Sequence, residues 1–371
     1  MTKSVQNQIK LPVDHALDDA NDMIKGRAVR MMDDGDIAGI ADWLIAEEQD
    51  IDETRGGLRG YQTLIEAALF NPTLQMIETG ELDPPKSLDK TVIPFEEALG
   101  KKPGHPGLAA LTALRHLQAG WAFRGSGFVH EITDAQWEKV GEHYGRAAEI
   151  LSEFDAEALR SPALAMAKHK LLAIEGASSR LDAAFDLWRT LDPMSSHMFM
   201  CHAFHCLPRW GGSYEKILVD ARRLAGETSE RWGMAAYALY LIQLSDGEPE
   251  VFEHMDLELF EEGVHDLLAR RSEPPVVNFW LRELNEMASA TPVFTEVTKD
   301  GARLADMAAP LRDYVIRTHL TVLDPTMWED GISLPLALVA NAFKDNVQAG
   351  DIIALGDTGC LCPQSPAPLP D

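Results

Sequence analysis

The feature that most constrains the fold of this chain is its helical hydrophobic period. Apolar residues recur three and four positions apart, with charged residues between them, and glycine or proline interrupts the pattern about every 15 to 20 residues. Runs in which Val, Ile and Thr alternate with polar residues are nearly absent. The best strand-like stretches, Thr295–Val297 and Asp351–Leu355, are short. The pattern therefore predicts an all-α protein.

The same period predicts the order of the helices. They are expected over 13–33, 36–49, 58–70, 106–123, 134–153, 161–175, 179–190, 195–207, 213–225, 230–244, 256–271, 275–289, 299–319 and 334–345. Short connections favour antiparallel neighbours, and many such helices in series are typical of α-solenoids. We expect an α–α hairpin solenoid, with an irregular helical bundle as the alternative.

A search for internal repeats gives one partial match. The segment Trp137–Tyr144 resembles the first helix of a tetratricopeptide unit, whose Trp and Tyr side chains fill the hairpin. Trp232 begins a weaker match, and Glu153 stands where the second helix of the first unit needs a small residue. Any repeats are therefore degenerate and only tetratricopeptide-like.

Proline and glycine divide the chain into segments. The sequence predicts an N-terminal helical segment over 1–72, a loose connector over 73–104 and a main helical-repeat domain over 105–345. The last stretch, 359–371, is rich in proline and has too little apolar content to pack, so we expect a mobile C-terminal tail over 346–371.

The charge balance limits the classes of molecule that we expect this chain to bind. The chain has 33 Lys and Arg against 59 Asp and Glu, for a formal net charge of −26. A nucleic-acid binder needs a basic face to neutralise phosphates, and adsorption to an anionic membrane needs basic residues too, so both are disfavoured. A basic protein or peptide is the expected partner.

The location is expected to be the cytoplasm of a bacterium-like cell. The first residues have no apolar stretch typical of a signal peptide, and four cysteines are too few for a secreted disulfide framework. The apolar segment 332–343 has about half of the roughly 20 residues that a membrane-spanning helix needs.

An acidic segment is the candidate docking surface. The residues from Glu248 to Asp266 include eight carboxylates and no Lys or Arg, with Glu258, Glu261 and Glu262 close together. A solvated helix face explains such a run. Alternatively, these carboxylates line a concave face that binds a basic partner.

The strongest candidate for a metal-binding or catalytic site is the segment Ser196–Cys206. Its possible metal ligands are His197, Cys201, His202, His205 and Cys206. On a helix, residues four apart share a face, and imidazole and thiolate are common zinc ligands. One helix cannot complete a tetrahedral site, and no CxxC or HExxH motif accompanies the segment. Core packing, a zinc site completed by another element, and a redox or catalytic thiol all remain open.

Two further motifs carry a family resemblance. They are Gly120–Phe128, followed by Thr133–Trp137, and Leu207–Ser213. Together they resemble the bacterial domain-of-unknown-function family 4034, over about residues 90 to 290. The resemblance implies a helical, tetratricopeptide-like fold and brings no catalytic residues.

The same motifs contain candidate ligand-binding side chains. Trp121 with Arg124, and Arg209 with Trp210, either fill hairpins or line a groove in which Arg binds an anion and Trp offers an apolar face. Gly211 is expected to adopt a positive φ in the turn after Trp210.

These observations favour a non-enzymatic helical-repeat protein, a scaffold or adaptor that binds a protein or peptide on a concave acidic face and needs no cofactor. The alternative is a metal- or thiol-dependent enzyme that uses the His197–Cys206 cluster, with zinc as its cofactor.

Overall fold

Helices dominate the structure, a computed structural model that describes residues 3–14, 19–51, 59–78, 81–82, 86–125, 127, 129–242, 244, 248–289, 301–328 and 331–365. The described part contains one small sheet of three short strands. The all-α prediction is therefore confirmed. The predicted strand-like stretch Thr295–Val297 lies outside the described residues.

The chain divides into two compact units. Unit 1 comprises Met1–Asp19 and Tyr214–Asp371, and unit 2 comprises Ala20–Ser213. This division differs from the predicted one, in which residues 1–72 and 105–345 belong to separate parts. The reason is that the helices before residue 102 pack on the same central helix as those that follow it.

Unit 2 is built from helices α2 to α11. They are α2 (Asp19–Asp33), α3 (Ile37–Gln49), α4 (Gly60–Leu69), α5 (Pro72–Glu78), α6 (Ile93–Lys101), α7 (Pro106–Arg124), α8 (Asp134–Ser152), α9 (Pro162–Ala173), α10 (Ser179–Leu191) and α11 (His197–His205). Short 3-10 helices span Lys86–Thr91, Val129–Glu131 and Pro208–Trp210.

Helix α7 is the centre of unit 2. Pro106 stands in its first turn, the His105 ring accepts a hydrogen bond from the backbone N–H of Leu108 at 3.2 Å, and Gly125 ends the helix with φ 72°. Most of its residues are buried, because α3, α4, α5, α6, α8 and α9 all pack against it. Helix α9 also contacts α10, and α10 contacts α11.

The predicted connector over 73–104 is helical in part. It contains most of α5 and all of α6, which the sequence analysis missed because their prolines look like breaks. Pro72 and Pro94 stand in the first turns of α5 and α6, where proline costs no backbone hydrogen bond. Phe95 and Leu99 of α6 are buried.

Unit 1 contains the remaining elements. They are α1 (Lys3–Gln8), β1 (Ile9–Lys10), α12 (Tyr214–Trp232), α13 (Ala235–Ile242), α14 (Pro249–Glu253), α15 (Leu257–Arg270), α16 (Pro274–Ala288), α17 (Gly301–Thr318), α18 (Ser333–Ala342), α19 (Lys344–Ala349), β2 (Ile352–Leu355) and β3 (Leu361–Gln364). Helix α13 packs between α12 and α15, and α17 contacts α15, α16 and α18.

Two paired strands lie within residues 346–365, where the sequence predicts a mobile tail. Strand β2 pairs in parallel with β1 and antiparallel with β3, with Ile9 opposite Ile353. Ile353 and Leu361 are buried, so these two apolar side chains add to the strand pairing that holds the segment. Pro363 is tolerated because β3 is an edge strand. The predicted strand-like stretch Asp351–Leu355 is confirmed as β2.

The tetratricopeptide-like match is only partly reflected in the packing. Trp137 is 38% exposed, so the expected burial of this side chain is wrong, whereas Trp232 is fully buried. Tyr144 lies against Gly120 of α7, where an added Cβ would stand 2.9 Å from its ring. Close approach between α7 and α8 thus depends on a small residue on α7.

The apolar segment 332–343 forms α18, a helix of 10 residues. Across the described part of the chain, no helix combines the length and the apolar character that crossing a membrane requires.

Candidate metal centre

Helix α11 carries the predicted metal ligands in unit 2. Its nine residues place Cys201 and His205 four positions apart on one face, both half-buried. His202 lies on the neighbouring face and is fully buried, as is Cys206 at the end of the helix. Met198 and Phe199 pack in the core, so one helix serves both packing and a donor cluster.

His169 of α9 completes the first donor group. One ligand atom from each of His169, Cys201 and His205 lies within 4.8 Å of the others. Two imidazoles and a thiol at this separation match the donor types that zinc prefers. The second element that the sequence required is therefore present. His197 is outside this group and packs edge-on to Trp188, with ring centroids 6.1 Å apart.

Hydrogen bonding fixes the tautomer of His205. Its Nδ1 lies 2.8 Å from the backbone carbonyl oxygen of Cys201, and a carbonyl can only accept. Nδ1 therefore carries the proton, and the lone pair of Nε2 is available to a metal ion. The Sγ atom of Cys201 lies 3.8 Å from the same Nδ1.

His169 has one engaged nitrogen and one unsatisfied nitrogen. Its Nε2 lies 3.1 Å from Nδ1 of His202. Its Nδ1 is buried and has no hydrogen-bond partner among the residues that the structure describes. Leaving a buried polar atom unpaired costs about 1–3 kcal/mol, and a metal ion at Nδ1 would remove that cost.

Burial keeps the imidazoles neutral. It lowers the pKa of His205 to about 4 and that of His169 well below its ordinary value, and the positive charge of Lys170 acts in the same direction. Neutral imidazole is the form that binds metal. Burial raises the pKa of the Cys201 thiol, while Lys170 opposes that rise, so an incoming ion must displace the thiol proton.

A second donor group adjoins the first in unit 2. Ligand atoms of Asp182, His202 and Cys206 lie within 4.8 Å of one another. Nε2 of His202 is 3.4 Å from a carboxylate oxygen of Asp182 and 3.7 Å from Sγ of Cys206. The two groups meet at the hydrogen bond between His169 and His202.

The candidate ligand-binding aromatics lie beside the same cluster. The Trp210 ring centroid is 5.9 Å from that of His205 and 5.3 Å from that of Trp121. Nε1 of Trp210 is a buried donor that has no partner within the described part of the chain. The two motifs that the sequence analysis treated separately from the His and Cys residues are thus brought to one place in unit 2.

The two arginines of these motifs have local roles. Arg124 stacks on Trp121 at 4.9 Å and donates to the backbone carbonyl oxygens of Gly125 and Gly127. Arg209 is exposed and stacks on Phe204 at 4.8 Å. Gly211 has φ 76°, which confirms the predicted positive φ.

The acidic candidates belong to unit 1. Glu258, Glu261 and Glu262 are exposed on α15, and a carboxylate oxygen of Glu261 lies 3.8 Å from His265. Glu258 also borders an open cavity of about 490 Å³ whose lining includes Arg222 and Arg303. The charge around this cavity is therefore mixed rather than uniformly acidic.

His169 was not predicted as a metal ligand because it belongs to no motif in the sequence around it. It lies in the apolar segment Pro162–Ala173, most of whose residues are buried. A single His on such a helix is usually a packing residue. In the sequence it stands between Lys168 and Lys170, and this pattern does not indicate a metal ligand.

Comparison of the sequence with protein-family models, with curated proteins and with solved structures found no match. The resemblance to family 4034 therefore stays a prediction.

Proposed function

We propose that this is a metal-binding helical protein whose unit 2 holds one zinc ion between His169, Cys201 and His205. The single observation that carries the proposal is that one ligand atom from each of these three residues, on α9 and α11, lies within 4.8 Å of the others. Among the described residues, Nδ1 of His169 has no hydrogen-bond partner, and the protonation of Nδ1 in His205 leaves the lone pair of its Nε2 available.

The donor set favours zinc and an enzyme. Two imidazoles and a thiolate suit a borderline-soft divalent ion better than Mg²⁺ or Ca²⁺, which prefer oxygen. Structural zinc sites take four protein ligands, whereas catalytic sites take three and keep a position for water or substrate. The proposal therefore is a metal-dependent enzyme, the alternative that the sequence left open, located in the cytoplasm, where free cysteines stay reduced.

Cobalt titration of protein without an affinity tag tests this function. Co²⁺ replaces Zn²⁺ in such sites, and a bond to thiolate gives a charge-transfer band. We expect the band in the wild type, and a loss of affinity of about tenfold or more in Cys201→Ser and in His205→Ala, since each removes a ligand.

The matched control is Cys360→Ser, which removes a half-buried free thiol of unit 1. Its affinity should equal that of the wild type. Absence of the band, or equal affinities in all four proteins, would contradict the proposal.

A second candidate function is the docking of a basic partner on α15. The observation that favours it is the exposure of Glu258, Glu261 and Glu262 on neighbouring positions of one helix. Reversal of all three charges to Lys should abolish salt-sensitive capture of a basic peptide, and capture that is unchanged by this reversal would reject the idea.

A further inference from the structure

We propose that Asp182, His202 and Cys206 form a second ligand set for zinc, and that the two sets are alternatives, so that the chain binds one ion and not two. This inference rests on the proposed metal-binding function. It concerns how the first site is regulated by its neighbour.

The two sets share one hydrogen bond. Nε2 of His169 and Nδ1 of His202 are 3.1 Å apart, and both rings are fully buried. The His202 ring is stacked on Phe185, with centroids 4.2 Å apart and planes inclined by 8°, so it is held in its orientation. One proton lies between these two nitrogens. The nitrogen that carries it determines which of the two rings can bind a metal ion.

In the first arrangement the ion binds Nδ1 of His169. The neutral ring then carries its proton on Nε2 and donates it to Nδ1 of His202. His202 must therefore carry its own proton on Nε2, which faces Asp182 at 3.4 Å and is no longer a ligand. Asp182 and His202 become the outer support that orients the ligand imidazole.

In the second arrangement the ion binds Nε2 of His202, together with Asp182 and Cys206. The His202 proton then lies on Nδ1 and is donated to Nε2 of His169. His169 consequently carries its proton on Nδ1, the nitrogen that the first set requires. Two ions at once would place two N–H groups face to face at 3.1 Å, which excludes double occupancy.

Native mass spectrometry with zinc tests the inference. The background is Cys360→Ser/Cys362→Ser, so that only Cys201 and Cys206 offer thiols. At zinc saturation we expect one ion per chain in the background protein. Adding Cys201→Ser should leave one ion, bound more weakly through the second set, and adding both Cys201→Ser and Cys206→Ser should leave none.

A carboxylate variant identifies the second set directly. In the Cys201→Ser protein, Asp182→Asn should lower zinc affinity about tenfold or more. The matched control is Asp186→Asn, one turn further along α10, where the carboxylate pairs with Arg189 instead. Circular dichroism of each variant shows whether the helices are retained.

The outcomes separate the two proposals. Two ions in the background protein would overturn the exclusion and leave the metal-binding function intact. No ion in the Cys201→Ser protein, or equal effects of the two aspartate variants, would overturn the second set alone. No ion in any protein would overturn both the inference and the proposed function.

Discussion

The carboxyl group of Glu48 on α3 lies half-buried at the N-terminus of α9. One of its oxygens accepts hydrogen bonds from the Ser161 hydroxyl and from the backbone N–H of Ala163, both at 2.7 Å. These bonds favour the charged form, yet burial outweighs them and raises the pKa of Glu48 to about 7. The hydrogen bonds of Glu48 therefore link α3 to α9. Its carboxyl group also binds a proton more tightly in the folded protein than in the unfolded chain.

This arrangement predicts a pH-dependent stability. A carboxyl whose pKa rises from 4.5 to about 7 on folding stabilises the protein below pH 4.5, and that contribution falls as the pH rises to about 7. Glu48→Gln does not titrate and keeps an oxygen for both donors. Its free energy of unfolding should rise relative to the wild type between about pH 5 and pH 8, by at most about 3 kcal/mol.

Urea denaturation of both proteins at several pH values measures this difference. Curves that stay parallel across the range would show that Glu48 is not buried in the folded state.

At the scale of elements, the packing of α7 against α8 depends on a close approach between the two helices. An added Cβ at Gly120 would lie 2.9 Å from the Tyr144 ring and 3.2 Å from Cβ of His143. At Gly141 on α8, no atom of the described residues lies within 4 Å of an added Cβ. The two glycines thus have opposite roles. Gly120 permits the contact between the helices, and Gly141 only weakens α8.

Alanine substitution should separate these roles. Gly120→Ala must displace the tyrosine ring, so we expect a loss of about 1–3 kcal/mol in the free energy of unfolding. Gly141→Ala should stabilise the protein by about 0.5–1 kcal/mol, because alanine is the better helix former. Thermal unfolding followed by circular dichroism checks both, and a stabilised Gly120→Ala protein would contradict the packing of α7 against α8.

Local signals in the sequence account for most helices. Caps and breaks at Asp36, Ser161 and Asp256 lie where the helices begin, because capping needs only neighbouring residues. Helices α5 and α6 were not predicted because a proline can either end a helix or stand in the first turn of one, and the sequence does not distinguish the two cases. The sheet was missed because β1 and β2 are more than 300 residues apart.

The candidate metal centre was predictable only in part. The spacing of Cys201 and His205 is a local signal, and the structure brings these two residues together as expected. His169 lies on a different helix, where its Nε2 is 3.1 Å from Nδ1 of His202 and its Nδ1 has no hydrogen-bond partner among the described residues. The surroundings of the His169 ring depend on how two helices pack, so the sequence of neither helix alone predicts them.

At the scale of the whole molecule, the first residues of the chain belong to unit 1. Ile9 and Leu11 are buried, the Gln8 side chain donates to the carbonyl oxygens of Val347 and Asp351, and Leu323 accepts and donates backbone hydrogen bonds with the segment 12–14. Residues 8–14 and 351–364 are therefore held by one sheet and its neighbours.

Deleting residues 1–14 should loosen unit 1 selectively. Loss of the two buried side chains costs about 2–5 kcal/mol, and β2 loses its parallel partner. Hydrogen exchange measured by mass spectrometry should show faster exchange over 352–355 and unchanged exchange over α7 in unit 2. Equal acceleration in both segments would contradict the division into two units.

The central claim is that His169, Cys201 and His205 bind one metal ion. X-ray absorption spectroscopy of the zinc-loaded protein in the Cys360→Ser/Cys362→Ser background tests it most directly. The account predicts a first shell of one sulfur at about 2.3 Å and two imidazole nitrogens at about 2.0 Å, completed by one light atom. A first shell without sulfur, or with fewer than two imidazoles, would contradict it.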